Sequence, residues 1–179
     1  MEDTLTVTTK DIPISHKIID FEQACIEISK LKAEGKQVVY TSGCFDILHV
    51  GHVQYLQAGK SKGDILVVGL ESDKTIENTR GKGRPINSAV ARAEVISALA
   101  CVDYVFVFED ELISYANSGD VFAERYKGLS PTFVLMPGQT ATDIQQRDQI
   151  LSSGAKLLFF PDLVAGKSST IIIKKILSS

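Results

Sequence analysis

The sequence predicts a single α/β domain in which a doubly wound, five-stranded parallel sheet carries helices on both faces. Two observations lead to this prediction. Five short apolar runs, rich in β-branched and aromatic residues, alternate with stretches of helical periodicity, an order typical of parallel strands joined by crossover helices. The 179-residue chain is also long enough for one such domain and too short for two. The predicted strands are residues 38–41, 65–70, 104–108, 132–136 and 156–160.

Capping residues place two of the helices. Asp20 is followed three residues later by Gln23, the spacing of a capping box, and Gly35 ends the apolar periodicity that begins there. Ser88 is expected to cap a later helix that carries Arg92 in its first turns. Both helices are therefore predicted from local sequence alone.

Three stretches lack clear periodicity. Residues 1–15 are predicted to form a flexible N-terminal tail before a domain that spans residues 16–179. Residues 71–87 are polar and contain two spaced glycines, which predicts a mobile loop. Residues 109–131 read as a helix that is interrupted or carries an insertion on the surface.

Composition limits the classes of function. A formal net charge of -3 gives no basic surface field, which argues against nucleic acid as the main partner. The three cysteines are widely spaced and form no Cys-x-x-Cys pair, so no side-chain metal site is predicted and a reducing cytoplasm is expected. No apolar run approaches the roughly 18 residues of a membrane span. We expect a cytoplasmic protein without membrane contact.

Residues 41–52 predict a phosphate site where the first strand gives way to a helix. His49 and His52 are three residues apart, so they share one face of the first helical turn, where unpaired N–H groups and the helix dipole attract anions. In the competing interpretation, one histidine caps the helix and the other packs against it. Gly43 and Gly51 favour the phosphate site because they allow close approach of a ligand to the backbone.

Two further segments are expected near this turn. Arg80, Lys82 and Arg84 are spaced by glycines after the second strand, which lies beside the first in a doubly wound sheet. Alternatively, these cations belong to an ordinary solvated surface. Hydroxyl residues at 168–170 precede an apolar run and predict a second helix N-terminus facing the histidines.

Together these segments suit a nucleoside triphosphate whose α-phosphate is exposed. The sequence presents no recognisably activated nucleophile, so direct in-line attack by the phosphate of an acceptor is favoured. Catalysis would consist of positioning and charge stabilisation, with Mg²⁺ helping pyrophosphate to leave. The sequence thus predicts nucleotidyl transfer from ATP to a small phosphorylated acceptor.

Residues 43–52 resemble the Gly-x-Phe-Asp-x-x-His-x-Gly-His signature of the cytidylyltransferase-like nucleotidyltransferases. Residues 83–87, 92–95, 98–104 and 163–170 are similar to the D-glycero-β-D-manno-heptose 1-phosphate adenylyltransferases, and the likeness extends over roughly residues 17–177. The resemblance implies a Rossmann-like fold, transfer of AMP from ATP to a sugar 1-phosphate, and release of pyrophosphate and ADP-sugar. It also implies a role in lipopolysaccharide precursor synthesis and a homodimer.

The resemblance also implies residue roles. His49 and His52, with Lys82 and Arg92, are expected to be catalytic. Contacts with ATP are expected from Thr41, Gly43, Cys44, Phe45, Gly51, Lys60, Arg80, Ser168, Ser169 and Thr170. Acceptor contacts are expected from Asp46, Glu71, Arg84, Met136, Gly138 and Gln139.

The acceptor site departs from the heptose pattern at two places. Residues 136–139 are Met-Pro-Gly-Gln where the heptose enzymes typically carry Lys-Gly-Gly-Asp, and Glu71 stands where they carry Asn. A carboxylate at this place repels a phosphate but accepts hydrogen bonds from sugar hydroxyls. The altered residues therefore predict a changed choice of acceptor with conserved handling of ATP.

Two alternatives remain open. One is a cytidylyltransferase for an alcohol phosphate such as glycerol 3-phosphate, although those enzymes usually carry Arg-Thr-x-Gly where this chain has Leu163 in place of the arginine. The other is a nucleotide-binding module without catalysis, against which the intact histidines and basic loop argue.

Overall fold

The computed structural model describes residues 15–138, 143–160 and 169–178. One parallel sheet organises them, in the strand order β3-β2-β1-β4-β5. The strands are β1 (Val38–Gly43), β2 (Ile65–Leu70), β3 (Tyr104–Val107), β4 (Phe133–Pro137) and β5 (Lys156–Phe160). Each predicted strand is confirmed, with ends that differ by at most two residues.

Helices cover both faces of the sheet, as predicted. They are α1 (Phe21–Ala33), α2 (Val50–Lys60), α3 (Asp73–Arg80), α4 (Ala89–Ser97), α5 (Gly119–Leu129), α6 (Ile144–Ser152) and α7 (Ser169–Leu177). One apolar core contains side chains of α1, α5 and α6, and a second core contains side chains of α2 and α4. The strand order reverses between β1 and β4, which leaves a crevice at their carboxyl ends, where ligands of doubly wound sheets bind.

The predicted caps are present. Asp20 and Gln23 form the capping box of α1, and Gly35 follows the end of that helix with a φ of 81°. The Ser88 hydroxyl accepts a hydrogen bond from the Ala91 N–H at the start of α4. Short-range side-chain chemistry therefore fixed these helix ends.

The predicted tail lies outside the described residues except at its last position. Ahead of α1, Ile18 forms a parallel bridge to Val105 on β3, so the chain is paired with the sheet edge within four residues of position 15. No helix among the described residues is both long enough and apolar enough to span a bilayer.

Of the predictions about irregular segments, the mobile loop at residues 71–87 is wrong for residues 73–80, whereas the interruption of the helical stretch at residues 109–131 is confirmed and the surface insertion is wrong. Residues 71–87 contain α3, which buries only Thr75 and Ile76 and is capped by the Ser72 hydroxyl, so its apolar periodicity was too sparse to detect. Helix α5 is no surface insertion, because it buries Phe122, Tyr126 and Leu129 in the core. The predicted interruption is a 3₁₀ helix at Tyr115–Asn117.

Candidate active site

A cavity of about 290 Å³ opens at the carboxyl end of β1, between the N-termini of α2 and α7. It brings together histidines, arginines and hydroxyl groups that the sequence places far apart. The predicted site residues on its lining are Gly43, Cys44, Phe45, Asp46, His49, His52, Arg80, Arg84, Ser169 and Thr170. The basic loop and the second helix N-terminus thus meet the histidines as expected, while Ser168 lies outside the described residues.

The two histidines combine both interpretations of their motif. His49 caps α2, since its Nδ1 accepts a hydrogen bond of 3.1 Å from the Gly51 N–H. The rings of His49 and His52 stack with centroids 3.8 Å apart, and His52 also packs on Phe45. An accepting Nδ1 leaves the proton of His49 on Nε2, where it can be donated to a ligand. Capping and packing therefore orient the rings that line the cavity.

The backbone turn beneath the rings is strained at Phe45, a non-glycine residue with a φ of 46°. A side chain at Gly43 would place its Cβ 3.1 Å from the Phe45 ring, which explains the glycine at the end of β1. This turn holds Phe45 against His52 and so fixes the direction of the imidazole.

Burial, with a smaller contribution from the neighbouring His49, lowers the pKa of His52 to about 4. Burial also lowers the pKa of His49. Both rings are therefore neutral at pH 7. In unfolded chain the His52 pKa returns to about its ordinary 6.5, so this ring destabilises the free protein as the pH falls from 6.5 to about 4.

We expect ATP binding to take up protons at pH 5.5 to 6.5. The triphosphate charge raises the pKa of both rings, so ATP affinity rises as the pH falls through this range. Calorimetric titration in two buffers of different ionisation enthalpy measures the proton uptake. His52→Ala is the reference, because the proton change of ATP itself occurs in both proteins and the difference between them reports the His52 ring. Equal uptake by wild type and variant would contradict the expectation.

Asp46 anchors the basic loop. Its Oδ1 accepts hydrogen bonds from the N–H groups of Ile86 and Asn87 at 2.8 and 2.9 Å, and its Oδ2 lies 2.9 Å from an Arg84 nitrogen. Asp46 is buried, and these partners occupy its carboxylate. It was expected to bind the acceptor, but its contacts are those of a residue that positions Arg84 at the cavity.

The structure does not bring Arg92 to the cavity lining. Its side chain is 2 % exposed and donates to the carbonyls of Cys44, Glu71 and Asn87 and to the Asp73 carboxylate. The three carbonyl partners belong to the turn after β1, the end of β2 and the loop before α4, and Asp73 begins α3. Arg92 thus ties three segments together beneath the site, which corrects the expectation of direct contact with phosphate.

Other expected ATP contacts lie elsewhere. Lys60 pairs with Asp103 at 2.6 Å. This pair lies at the amino ends of β2 and β3, whereas the cavity opens at the carboxyl ends of the strands. The Thr41 hydroxyl is buried against the Tyr55 hydroxyl and the Leu135 carbonyl. Lys82 is exposed outside the cavity lining, and Gly51 is buried beneath His49. Tertiary packing decided these outcomes, because Lys60 and Gly51 belong to α2, Thr41 belongs to β1, and only Lys82 lies in a loop.

A second cavity of about 300 Å³ adjoins the first. The two cavities share Ser42, Gly43, Cys44, Arg80 and Pro137 on their linings. Of the expected acceptor residues, Glu71 and Met136 line the second cavity, whereas Gly138 does not and Gln139 lies outside the described residues. Glu71 and Met136, which are expected to contact the acceptor, therefore lie beside the residues that are expected to contact the triphosphate. Arg80 lies on the lining of both cavities.

Much of the lining of the second cavity was not predicted from the sequence. Its polar side chains come from the 3₁₀ helix, α5 and the start of α6, and they are Tyr115, Tyr126, Asp143, Gln145, Gln146 and Gln149. Beneath them, Arg125 donates two hydrogen bonds, of 3.0 and 3.1 Å, to the Glu71 carboxylate. An arginine on the apolar face of α5, at helical spacing from Phe122 and Leu129, was the available signal.

Within the described ranges, no group of three or more histidine, cysteine or acidic side chains is placed to hold a metal ion. Asp46 is the one carboxylate on the described lining of the first cavity, and its partners already occupy it. These side chains do not fit a protein-held Mg²⁺ site.

A doubly wound sheet with two helix N-termini and paired histidines at its carboxyl edge defines a nucleotide-binding enzyme of the phosphate-transfer class. Residues 40–175 match the model of the cytidylyltransferase-like family, and the chain belongs to that family. It is a nucleotidyltransferase.

Curated relatives support this assignment. The chain is 42 % identical over 156 residues to the bifunctional protein HldE of Sulfurimonas denitrificans, covering 87 % of this chain and 30 % of that protein. It is 41 % identical over 155 residues to the bifunctional protein HldE of Geobacter sulfurreducens, covering 85 % and 29 %. The chain thus spans about a third of the length of these relatives.

Solved structures share the fold. A lipopolysaccharide core biosynthesis protein from Thermoplasma volcanium is 28 % identical with a TM-score of 0.58, covering 72 % of this chain and 98 % of that chain. A pantoate-β-alanine ligase from Francisella tularensis, at 15 % identity, a TM-score of 0.58 and coverage of 90 % and 79 %, shares the fold alone.

Proposed function

We propose that the chain transfers AMP from ATP to a sugar 1-phosphate, specifically a heptose 1-phosphate, and releases pyrophosphate and an ADP-sugar. The observation that carries this proposal is the pair of adjoining cavities with Arg80 on their common lining. The likeness of residues 83–104 to heptose 1-phosphate adenylyltransferases supports the acceptor. The similarity to the lipopolysaccharide core biosynthesis protein of Thermoplasma volcanium agrees with it.

The first cavity is proposed to hold the triphosphate. His49 offers an N–H on Nε2, because its Nδ1 accepts from Gly51. The N-termini of α2 and α7 add backbone N–H groups, and the guanidinium groups of Arg80 and Arg84 add positive charge. These donors favour the charge that develops on the α-phosphoryl oxygens during transfer.

The acceptor phosphate is proposed to attack the α-phosphorus directly, forming one P–O bond as the bond to pyrophosphate breaks. Ser42 and Cys44 both line the two cavities. The Cys44 Sγ lies 3.8 Å from the Tyr115 hydroxyl, whose pKa burial raises, so this hydroxyl stays protonated and does not act as a base for the thiol. Mg²⁺ is proposed to accompany ATP on triphosphate oxygens. ATP carrying a chiral α-thiophosphate tests the attack: inversion at phosphorus is expected, and retention would indicate an enzyme-bound intermediate.

Pyrophosphate release tests the substrate assignment. The protein is incubated with ATP or CTP and heptose 1-phosphate, hexose 1-phosphates or glycerol 3-phosphate, and the nucleotide product is identified by mass spectrometry. We expect ATP with heptose 1-phosphate to give the highest kcat/KM. A preference for CTP and glycerol 3-phosphate would favour the cytidylyltransferase alternative, and ATP binding without turnover of any acceptor would favour the non-catalytic module.

Arg80→Met is expected to lower kcat/KM for both ATP and acceptor by about tenfold or more, because one charged donor is lost at the common lining. Lys60→Met is the control, since that cation pairs with Asp103 at the opposite sheet edge. Steady-state kinetics with each substrate varied in turn measure both. Equal losses in the two variants would contradict this arrangement.

The homodimer and the cytoplasmic location are also proposals that follow from the resemblance. Sedimentation equilibrium of the purified chain tests the first, with twice the 19.5 kDa chain mass as the expected result.

A further inference from the structure

A buried charge cluster that the handling of ATP does not use borders the second cavity through Glu71. Glu71 and Arg125 are 3 % and 4 % exposed and form a two-pronged pair. The Arg125 guanidinium also donates to both carboxylate oxygens of Asp110 and lies over the Phe108 ring, 3.5 Å from its centroid. Two carboxylates share one cation, so the cluster carries a net negative charge.

Arg125 is held rigidly by these contacts. Burial opposes its charge, but the hydrogen bonds to Asp110 and Glu71 prevail and raise its pKa above the ordinary value. A planar guanidinium that donates hydrogen bonds to two carboxylates fixes the orientation of both carboxylates. Glu71 lines the cavity and Arg125 does not, so Arg125 can act on a ligand only through Glu71.

The rest of the described lining continues this acceptor-rich character. Asp143 adds a second carboxylate, and the glutamine side chains of α6 add amide oxygens. Gln146 donates to the Tyr126 hydroxyl and Gln149 to the Gly119 carbonyl, which orients both amides. Among the described lining residues, Arg80 is the single cation, and it lies at the boundary with the first cavity.

We propose that Arg125 is a positioning residue that fixes Glu71 to accept hydrogen bonds from acceptor hydroxyls, and that this pair excludes acceptors carrying a second phosphate. This inference rests on the proposed function. The reacting phosphate lies near Arg80, while the remainder of the acceptor enters a cavity rich in carboxylate and amide oxygens. Neutral hydroxyls satisfy those oxygens, whereas a remote phosphate meets like charge without a compensating cation.

Glu71→Gln is the central test because it removes the charge and keeps the shape. We expect the KM for heptose 1-phosphate to rise about tenfold or more, with the KM for ATP unchanged. Glucose 1,6-bisphosphate is expected to inhibit wild type weakly and the variant about tenfold more strongly. Lys127→Met, which removes an exposed cation from the same helix as Arg125, is the control expected to change neither value.

Arg125→Lys tests the positioning role. It is expected to raise the acceptor KM in the wild-type background and to add nothing in the Glu71→Gln background, because Arg125 acts through Glu71. ATP binding by calorimetry verifies the fold of each variant. If Arg125→Lys does not fold, Asp110→Asn, which weakens the hold on the same guanidinium, takes its place with the same expected results in both backgrounds.

The outcomes separate the two proposals. Absence of wild-type turnover with any sugar 1-phosphate would overturn the proposed function and this inference together. Wild-type turnover with an unchanged acceptor KM and unchanged bisphosphate inhibition in Glu71→Gln would overturn this inference alone. Additive effects of the two substitutions would show that Arg125 does not act through Glu71.

Discussion

His52→Ala is expected to lower the rate of nucleotidyl transfer by about two to three orders of magnitude while the protein stays folded. His52 lines the first cavity, stacks on His49 and rests on Phe45, so its removal takes away an imidazole of the lining and loosens the orientation of the second ring. Single-turnover measurement of pyrophosphate release isolates the chemical step from substrate binding. The control is His16→Ala, which changes an exposed histidine outside both cavity linings.

Thermal unfolding distinguishes this catalytic role from packing. The lowered His52 pKa means that wild type loses stability as the pH falls below 6.5, whereas the variant lacks this contribution. The melting temperature of the variant is therefore expected to fall less between pH 7 and pH 5. A loss of stability at pH 7 that matched the loss of activity would identify His52 as a packing residue.

Arg92→Met is expected to destabilise the fold by about 3 kcal/mol, because it leaves the buried Glu71 carbonyl, two part-buried carbonyls and the half-exposed Asp73 carboxylate without their donor. For a chain of this size, such a loss lowers the melting temperature by roughly 10 °C. The three carbonyl partners lie on segments that form the floor of the site, so ATP affinity falls together with stability. Thermal unfolding with and without ATP measures both effects.

Arg80→Met is the matched comparison for Arg92→Met. Arg80 is exposed on the cavity lining, so its loss is expected to weaken ATP binding with little change in melting temperature. If Arg92→Met kept the wild-type melting temperature and lost only ATP affinity, Arg92 would be a phosphate ligand after all.

Much of the fold could be predicted because its signals are local. The five strands, the capping box of α1 and the cap of α4 depend on residues within a few positions of one another. Helix α3 escaped detection because its burial involves Thr75 and Ile76 alone. Helix α5 was predicted, but its burial was not, because a charged residue, Arg125, occupies its buried face.

In the candidate site, too, the features with local signals could be predicted and the others could not. The strand-to-helix turn with His49 and His52 could be predicted because a capping residue and the residue three positions later lie close together at a helix N-terminus, and His49 caps α2. The sequence did not show which of the five predicted basic residues face the cavity. Their directions depend on distant partners, such as Asp103 for Lys60 and Asp46 for Arg84.

The sequence by itself determined the α/β architecture and the phosphate-binding turn, since period, caps and spacing act over a few residues. Tertiary structure alone decided which cations face the site and what surrounds the second cavity. Glu71 and Arg125 are separated by 54 positions, and only the packing of α5 against the carboxyl edge of the sheet joins them. A buried ion pair requires both partners at hydrogen-bond distance, and that distance is a property of the folded chain.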